Sequence, residues 1–181
     1  MEDQPVLQTE RLTLRAFALD DANVIIPLVS EKEIAATTLS IPHPYPADEA
    51  AKWISKTIEK YQEGVAAAFA IILKETGKIV GSFSIWIKHK HAHAELGYWI
   101  AKPYWNNGYA TEAGHAILKY GFNDRNLNRI HAHHMTKNPQ SGKVMQKMGM
   151  AYEGTLRQHV LKDGEYQDLA IYAITKDQYN P

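Results

Sequence analysis

Glu95-Leu-Gly-Tyr-Trp-Ile-Ala-Lys-Pro-Tyr-Trp-Asn-Asn-Gly-Tyr-Ala-Thr-Glu112 joins a strand, a break and a helix start. Leu96, Tyr98 and Ile100 alternate with Glu95, Gly97 and Trp99, the period of two that gives a strand two differently furnished faces. Pro103 ends it, because proline cannot donate to a sheet ladder and drives Lys102 out of the helical region. Beyond Gly108, small or apolar residues at Ala110, Ala113, Gly114, Ile117, Leu118 and Gly121 recur at spacings of three and four, which predicts one face of a helix. The first turn of such a helix leaves backbone N–H groups unpaired at the positive end of the macrodipole, where an anion is attracted. A glycine with small neighbours lets a bulky anion, above all a phosphate, come within hydrogen-bonding distance. Taken alone, the junction reads first as a plain tight turn.

Ahead of this stretch, Leu12 and Leu14 alternate with Arg11, Thr13 and Arg15 as a short edge strand. Ala22 to Val29 reads as a helix capped by Asp20, which Pro27 is expected to break or kink. Ile41 to Pro46 is an irregular proline-rich loop, and Ala47 to Glu63 an amphipathic helix stopped by Gly64. Val65 to Leu73 and Ile79 to Ile87 are apolar strands of a hairpin, and a turn at His89 to His93 leads into the strand at Glu95. Downstream come a strand from Arg129 to Met135 and a helix opened by Pro139 and closed by Gly149. Two last strands, Ala151 to Leu161 and Tyr166 to Ile174, flank the turn Lys162-Asp163-Gly164-Glu165. The order β-α-α-β-β-β-α-β-α-β-β predicts an α/β (α+β) fold, a mixed, mostly antiparallel seven-stranded sheet with helices on both faces. The strands at Glu95 and Arg129 are joined through a helix, so they are expected to run parallel, with a ligand where their ends diverge.

The length of 181 residues asks for one domain, 1–181. Lysine plus arginine equals aspartate plus glutamate at 20 each, so no net field favours nucleic acid or an anionic membrane. There is no cysteine, which removes disulfides, thiolate metal sites and cysteine nucleophiles. The opening Met-Glu-Asp-Gln-Pro lacks an apolar run and no segment approaches a membrane span, so a cytoplasmic protein is expected. His89, His91 and His93 alternate, and His131, His133 and His134 follow later. With no carboxylate partner obvious in the sequence they read as a solvated surface, and no metal is expected.

Several segments together resemble the GNAT superfamily of N-acetyltransferases, and within it the RimJ/RimL branch of ribosomal-protein N-terminal acetyltransferases. They are Thr9 to Arg15, Lys78 to Ser82, Glu95 to Ile100, Tyr104 to Ala113, Asn138 with Ser141, Lys147 to Met150, Glu153 to Arg157, Lys162 to Gly164 and Asp168. The resemblance covers nearly the whole chain. It implies the GNAT acyl-CoA N-acyltransferase fold and transfer of an acetyl group from acetyl-CoA to a primary amine. It also implies that backbone N–H groups of Asn106, Asn107, Gly108, Tyr109, Ala110 and Thr111, with Trp105, hold the coenzyme diphosphate. Ile100 and Ala101 would pair with the pantetheine arm like an added strand, and one of their N–H groups would meet the oxyanion. Asn138 and Ser141 would either cap their helix or touch the cofactor; Lys143 would reach a phosphate or remain a solvated lysine.

Glu95 is the candidate acceptor of the amine proton, the alternative being a structural carboxylate; either Ser141 or Asn138 protonates the leaving thiolate, or it departs as such. Glu112, in the first turn of its helix, is read as structural. Two positions depart from the wider superfamily: Trp105 replaces a frequent Gln or Arg, and Met145 replaces a Tyr that protonates the thiolate, which a thioether cannot do. The branch suggests a ribosomal-protein N-terminus as acceptor. Two alternatives stay open: a small amine such as an antibiotic, amino acid or polyamine, and a catalytically silent acyl-CoA sensor. Monomer and homodimer are both compatible with the sequence.

Overall fold

The computed structural model of the chain describes residues 3–180. Its elements are β1 (Leu7–Gln8), β2 (Leu12–Ala16), α1 (Ala22–Val29), α2 (Lys32–Thr37), α3 (Glu49–Gln62), β3 (Ala66–Leu73), β4 (Lys78–Lys88), β5 (His93–Ile100), α4 (Tyr109–Lys119), β6 (Arg129–Met135), α5 (Pro139–Lys147), β7 (Ala151–Lys162) and β8 (Glu165–Thr175). The strands form one eight-stranded sheet in the order β1-β2-β3-β4-β5-β6-β8-β7. Among the described residues only β5 and β6 pair in parallel. The eighth strand is β1, two residues bonded to β2, too short to leave an alternation in the sequence.

The expected break at Pro27 takes a milder form. Pro27 lies inside α1, which ends at Val29, and the chain restarts as α2. A helix loses one hydrogen bond at an internal proline, and α1 runs only two residues beyond it. Three early helices thus replace the two expected from the sequence.

The two faces of the sheet carry separate cores. On one, Leu96 and Ile100 of β5 pack with Ala113, Ile117 and Leu118 of α4 and Met145 of α5. On the other, Trp99 and Ala101 pack with Ile25, Val29, Ile34 and Ile54 of the first three helices. The alternation along β5 decides which residue joins which core. Among the described residues no helix is long and apolar enough to cross a membrane.

The β5–β6 ladder is short. It pairs His93 with Arg129 through Leu96 with Ala132 and then stops, although β5 continues to Ile100 and β6 to Met135. Ala101 N–H donates to Val80 O at 2.9 Å, which fixes the parity of the strand. Odd residues of β5 turn their backbone toward β4 and even ones toward β6. Tyr98 and Ile100 therefore direct their backbone groups into the gap where β6 has moved away.

Candidate active site

Two clefts meet at that gap. The first, about 540 Å³, lies on the α1–α3 face and is lined by Glu95, Trp86, Trp99, His133, Ser141 and Met145 among others. The second, about 340 Å³, runs along the start of α4 and is lined by Ile100, Trp105, Asn106, Gly108, Tyr109, Ala110, Thr111, Asn138, Ser141 and Lys143 among others. Tyr98, Trp99 and Ser141 line both.

The second cleft gathers almost all the residues expected to hold coenzyme. Gly108 is the N-cap of α4 at φ +80°, and its carbonyl takes the Glu112 N–H at 3.0 Å. The N–H groups of the first turn, Tyr109 to Thr111, precede that bond and have no partner within the helix. Asn106 also sits at positive φ, and Asn107 Nδ2 donates to Trp105 O at 3.0 Å, so the loop folds back on itself. The Trp105 indole N–H donates to Ile100 O at 2.5 Å. Trp105 thus ties the loop to the open end of β5. Asn107 and Ala101 lie outside the cleft lining; the Ala101 N–H is committed to Val80, which leaves Tyr98 and Ile100 as the strand's groups facing the gap.

Glu112 is pinned. It accepts hydrogen bonds from Thr9 Oγ1 at 2.6 Å, Arg11 N at 2.8 Å and Arg11 Nε at 2.7 Å. Burial opposes its charge, but these donors outweigh it and hold the carboxyl below the ordinary range. The same Arg11 lies over the Tyr109 ring at 4.8 Å. Glu112 and Arg11 fasten the β1–β2 turn to the start of α4.

Asn138 does not cap α5 with its side chain. Its Nδ2 donates to Ser141 Oγ at 2.9 Å and Thr37 O at 3.3 Å, tying α5 to α2 at the mouth of the second cleft. Lys143 is exposed along that cleft. Met145 is 2% exposed and borders the first cleft.

Tyr98, which the sequence marks only as one residue of an alternating strand, lines both clefts. Its ring stacks on Phe83 at 5.0 Å, yet its hydroxyl is buried without a hydrogen-bond partner at the junction of the clefts. Burial pushes the phenol up to about 12, with the neighbouring Ser141 hydroxyl acting in the opposite sense.

Glu95 stands in the first cleft with its side chain 43% exposed. The histidines expected to be mere surface flank it. Its two oxygens lie 3.6 Å from His131 Nε2 and 3.6 Å from His133 Nδ1. His131 favours the charged carboxylate more than burial opposes it, and His133 adds to this, so Glu95 is held below the ordinary range. The partner absent from the sequence neighbourhood arrives through the β5–β6 register, which sets Glu95 opposite His131. Among the described residues no group of three or more His, Asp or Glu is placed to hold a metal ion.

A strand pair that opens beside a helix N-terminus, with two clefts meeting at the opening, is a frame for carrying an acyl chain to a nucleophile. The family model described as "Acetyltransferase (GNAT) domain" matches residues 11–151. The chain belongs to the GNAT acetyltransferase family. It is an acetyl-CoA-dependent N-acetyltransferase, as its relatives are named. The N-acetyltransferase p20 of Bacillus licheniformis, itself uncharacterized, is 33% identical over 174 residues, 96% of this chain and 97% of that protein. The ribosomal-protein-uS5-alanine N-acetyltransferase of Escherichia coli is 27% identical over 141 residues, 77% of this chain and 72% of that protein. The ribosomal-protein α-N-acetyltransferase RimL, solved with coenzyme A, superposes with a TM-score of 0.89 at 20% identity, over 97% of this chain and all of that one. That likeness establishes the fold.

Proposed function

We propose that this acetyltransferase modifies the α-amine of a protein N-terminus, the amine attacking the thioester directly while both substrates are bound. The observation that carries the reading is the meeting of the two clefts at Tyr98 and Ser141. A thioester threaded from the α4 side and an amine entering from the α1–α3 side reach one point without a covalent relay.

On this reading the first-turn N–H groups from Tyr109 to Thr111 grip the diphosphate with the loop from Trp105 to Gly108. Lys143 and Asn138 line the same path. The pantetheine amides pair with the β5 backbone groups directed into the gap, and the Ile100 N–H meets the oxyanion. Glu95 serves the removal of the amine proton, and Ser141 faces the leaving sulfur. An α-amine, with a pKa near ~8, is partly neutral at pH 7, whereas a lysine-type amine near ~10.4 is almost wholly protonated. The Escherichia coli relative acetylates a ribosomal-protein alanine, which supports an N-terminal acceptor and a cytoplasmic setting.

A small amine is the second reading, and the first cleft favours one kind of it. Tyr45, Trp53, Trp86 and Trp99 line the cleft, whose acids, Glu49 and Glu95, are matched by Lys52 and Lys56. Such walls suit an amine borne on an apolar or aromatic body better than a polycation. The deciding experiment follows free thiol release from acetyl-CoA with N-terminal peptides beginning in Ala, Ser or Met, with aromatic amino acids and with spermidine. Turnover with peptides supports the N-terminal reading; turnover confined to the small amines refutes it.

A further inference from the structure

We infer that His133 takes the proton from the attacking amine and that Glu95 orients His133. The inference rests on the acetyl-transfer reading above and assigns the proton a different destination from the carboxylate singled out in the sequence.

The arrangement follows from strand register. Glu95 on β5 is paired with His131 on β6, so their side chains share a face, and His133 is the next β6 residue on that face. Each carboxylate oxygen of Glu95 is met by one imidazole, His131 Nε2 and His133 Nδ1, both at 3.6 Å. That is slightly beyond a hydrogen bond, and catalytic contacts often tighten when substrate binds. Of the three groups, Glu95 and His133 line the acceptor cleft, and His131 does not.

A carboxylate at Nδ1 favours the tautomer with its proton there and leaves the Nε2 lone pair of His133 as the acceptor. Base and orienter then stand in the relation found wherever a carboxylate aims an imidazole at a nucleophile. The protonation states agree. Burial keeps His133 below the ordinary histidine value, against the pull of Glu95, so the ring is neutral and able to accept. Glu95, held below the ordinary carboxylate range, stays charged. An imidazole near ~6.5 lies about two units closer to an α-amine than a carboxyl near ~4.3. The other titratable groups around His133 are His131 and His134 on β6 and His159 on β7, all of which disfavour a positive charge on it. Lys88 on β4 acts on Glu95, and Arg129, paired with Glu153, precedes His131 on the same face.

In the step, the amine nitrogen forms a bond to the acetyl carbon and gives its proton to His133 Nε2. The C–S bond breaks with its electron pair on sulfur. The imidazolium, stabilised by Glu95, returns its proton to solvent, and the thiolate is protonated from solvent.

The test is the pH dependence of kcat at saturating acetyl-CoA and acceptor for the wild type, His133→Gln and Glu95→Gln, with coenzyme A affinity measured by calorimetry on each. The wild type should lose activity on acidification with an imidazole-like midpoint. His133→Gln should lower kcat by about 100-fold or more and abolish that limb. Glu95→Gln should keep the limb, moved to lower pH, with a smaller loss. A His133→Gln enzyme within tenfold of wild type that keeps the limb overturns the inference, as does a Glu95→Gln enzyme that lacks the limb. If either variant fails to fold, NMR titration of His133 in the wild-type coenzyme A complex decides: a ring that does not titrate between pH 4.5 and 7.5 overturns the assignment. A wild type that binds coenzyme A yet releases no thiol with any amine fails the acetyl-transfer reading itself, whereas turnover with unaltered His133→Gln behaviour fails only this inference.

Discussion

Replacing Gly108 by alanine separates the cost to the backbone from the cost to coenzyme binding. Gly108 has φ +80° and ψ 2°, and a Cβ in the left-handed region costs about 1–2 kcal/mol. Reduced freedom of the unfolded chain returns about 0.4–1 kcal/mol, so the net destabilisation is about 1 kcal/mol. The new methyl meets only the Arg11 guanidinium at 3.5 Å, an ordinary contact, and adds no further strain. A chain of this size should lose about 2–4 °C in Tm.

The methyl also stands at the N-cap, beside the N–H groups of Tyr109 to Thr111. Forcing a diphosphate outward there removes at least one charge-assisted hydrogen bond, about 1.5–3 kcal/mol. That raises Kd for coenzyme A by about 10- to 150-fold. Gly164→Ala is the matched control, because Gly164 has φ +82° with nothing within 4 Å of a Cβ, in the turn between β7 and β8. Both variants should melt earlier by a similar amount, and only Gly108→Ala should lose coenzyme in a calorimetric titration. Equal, wild-type affinity in the two refutes the placement of the diphosphate at the start of α4.

Tyr98→Phe deletes a buried hydroxyl without a partner. Tm should hold or rise, with coenzyme affinity unchanged; a fall in Tm would show that the hydroxyl is paired in the folded protein. Asp21 is 7% exposed; burial opposes its charge, but Arg15, at 2.7 and 2.9 Å, and the Ala18 N–H, at 2.8 Å, outweigh this and lower its pKa. A carboxyl depressed in the folded state stabilises above its unfolded pKa, near ~3.9, and that contribution is lost as pH falls through the folded value. Asp21→Asn should therefore cost about 1–3 kcal/mol at pH 7, and its deficit against wild type should shrink below pH 4 in denaturant titrations; a constant deficit would refute the linkage.

Local signals carried the elements whose ends are written in adjacent residues. Pro139 opens α5 at its first position, Gly64 follows α3, and β6 spans Arg129 to Met135 as its pattern foretold. The arrangement of the clefts was legible where it depends on one continuous segment, as at Gly108 and the first turn of α4. It was not legible where it depends on register or distant pairing. Glu112 meets Thr9 and Arg11 across more than 100 residues, and Glu95 meets His131 and His133 only because two strands pair. Gly97 looked like one small residue in an alternating strand. A Cβ there would lie 2.9 Å from Trp86, so its absence admits the indole to the first cleft.

The short parallel ladder gives these observations a common cause. While β5 and β6 remain paired, they hold Glu95 against His131 and His133; once they part beyond Leu96, the backbone groups of Tyr98 and Ile100 face an open gap, where the proposed function places the acyl chain. Glu95 and Tyr98 are three residues apart on one strand, about 10 Å at the usual rise. That span accommodates a carboxylate, an imidazole and an amine approaching a carbonyl. On the proposed mechanism, proton acceptor and thioester site are two ends of one structural transition in the sheet. A slip of β6 by one residue would turn both histidines to the α4 face and leave Glu95 without a partner.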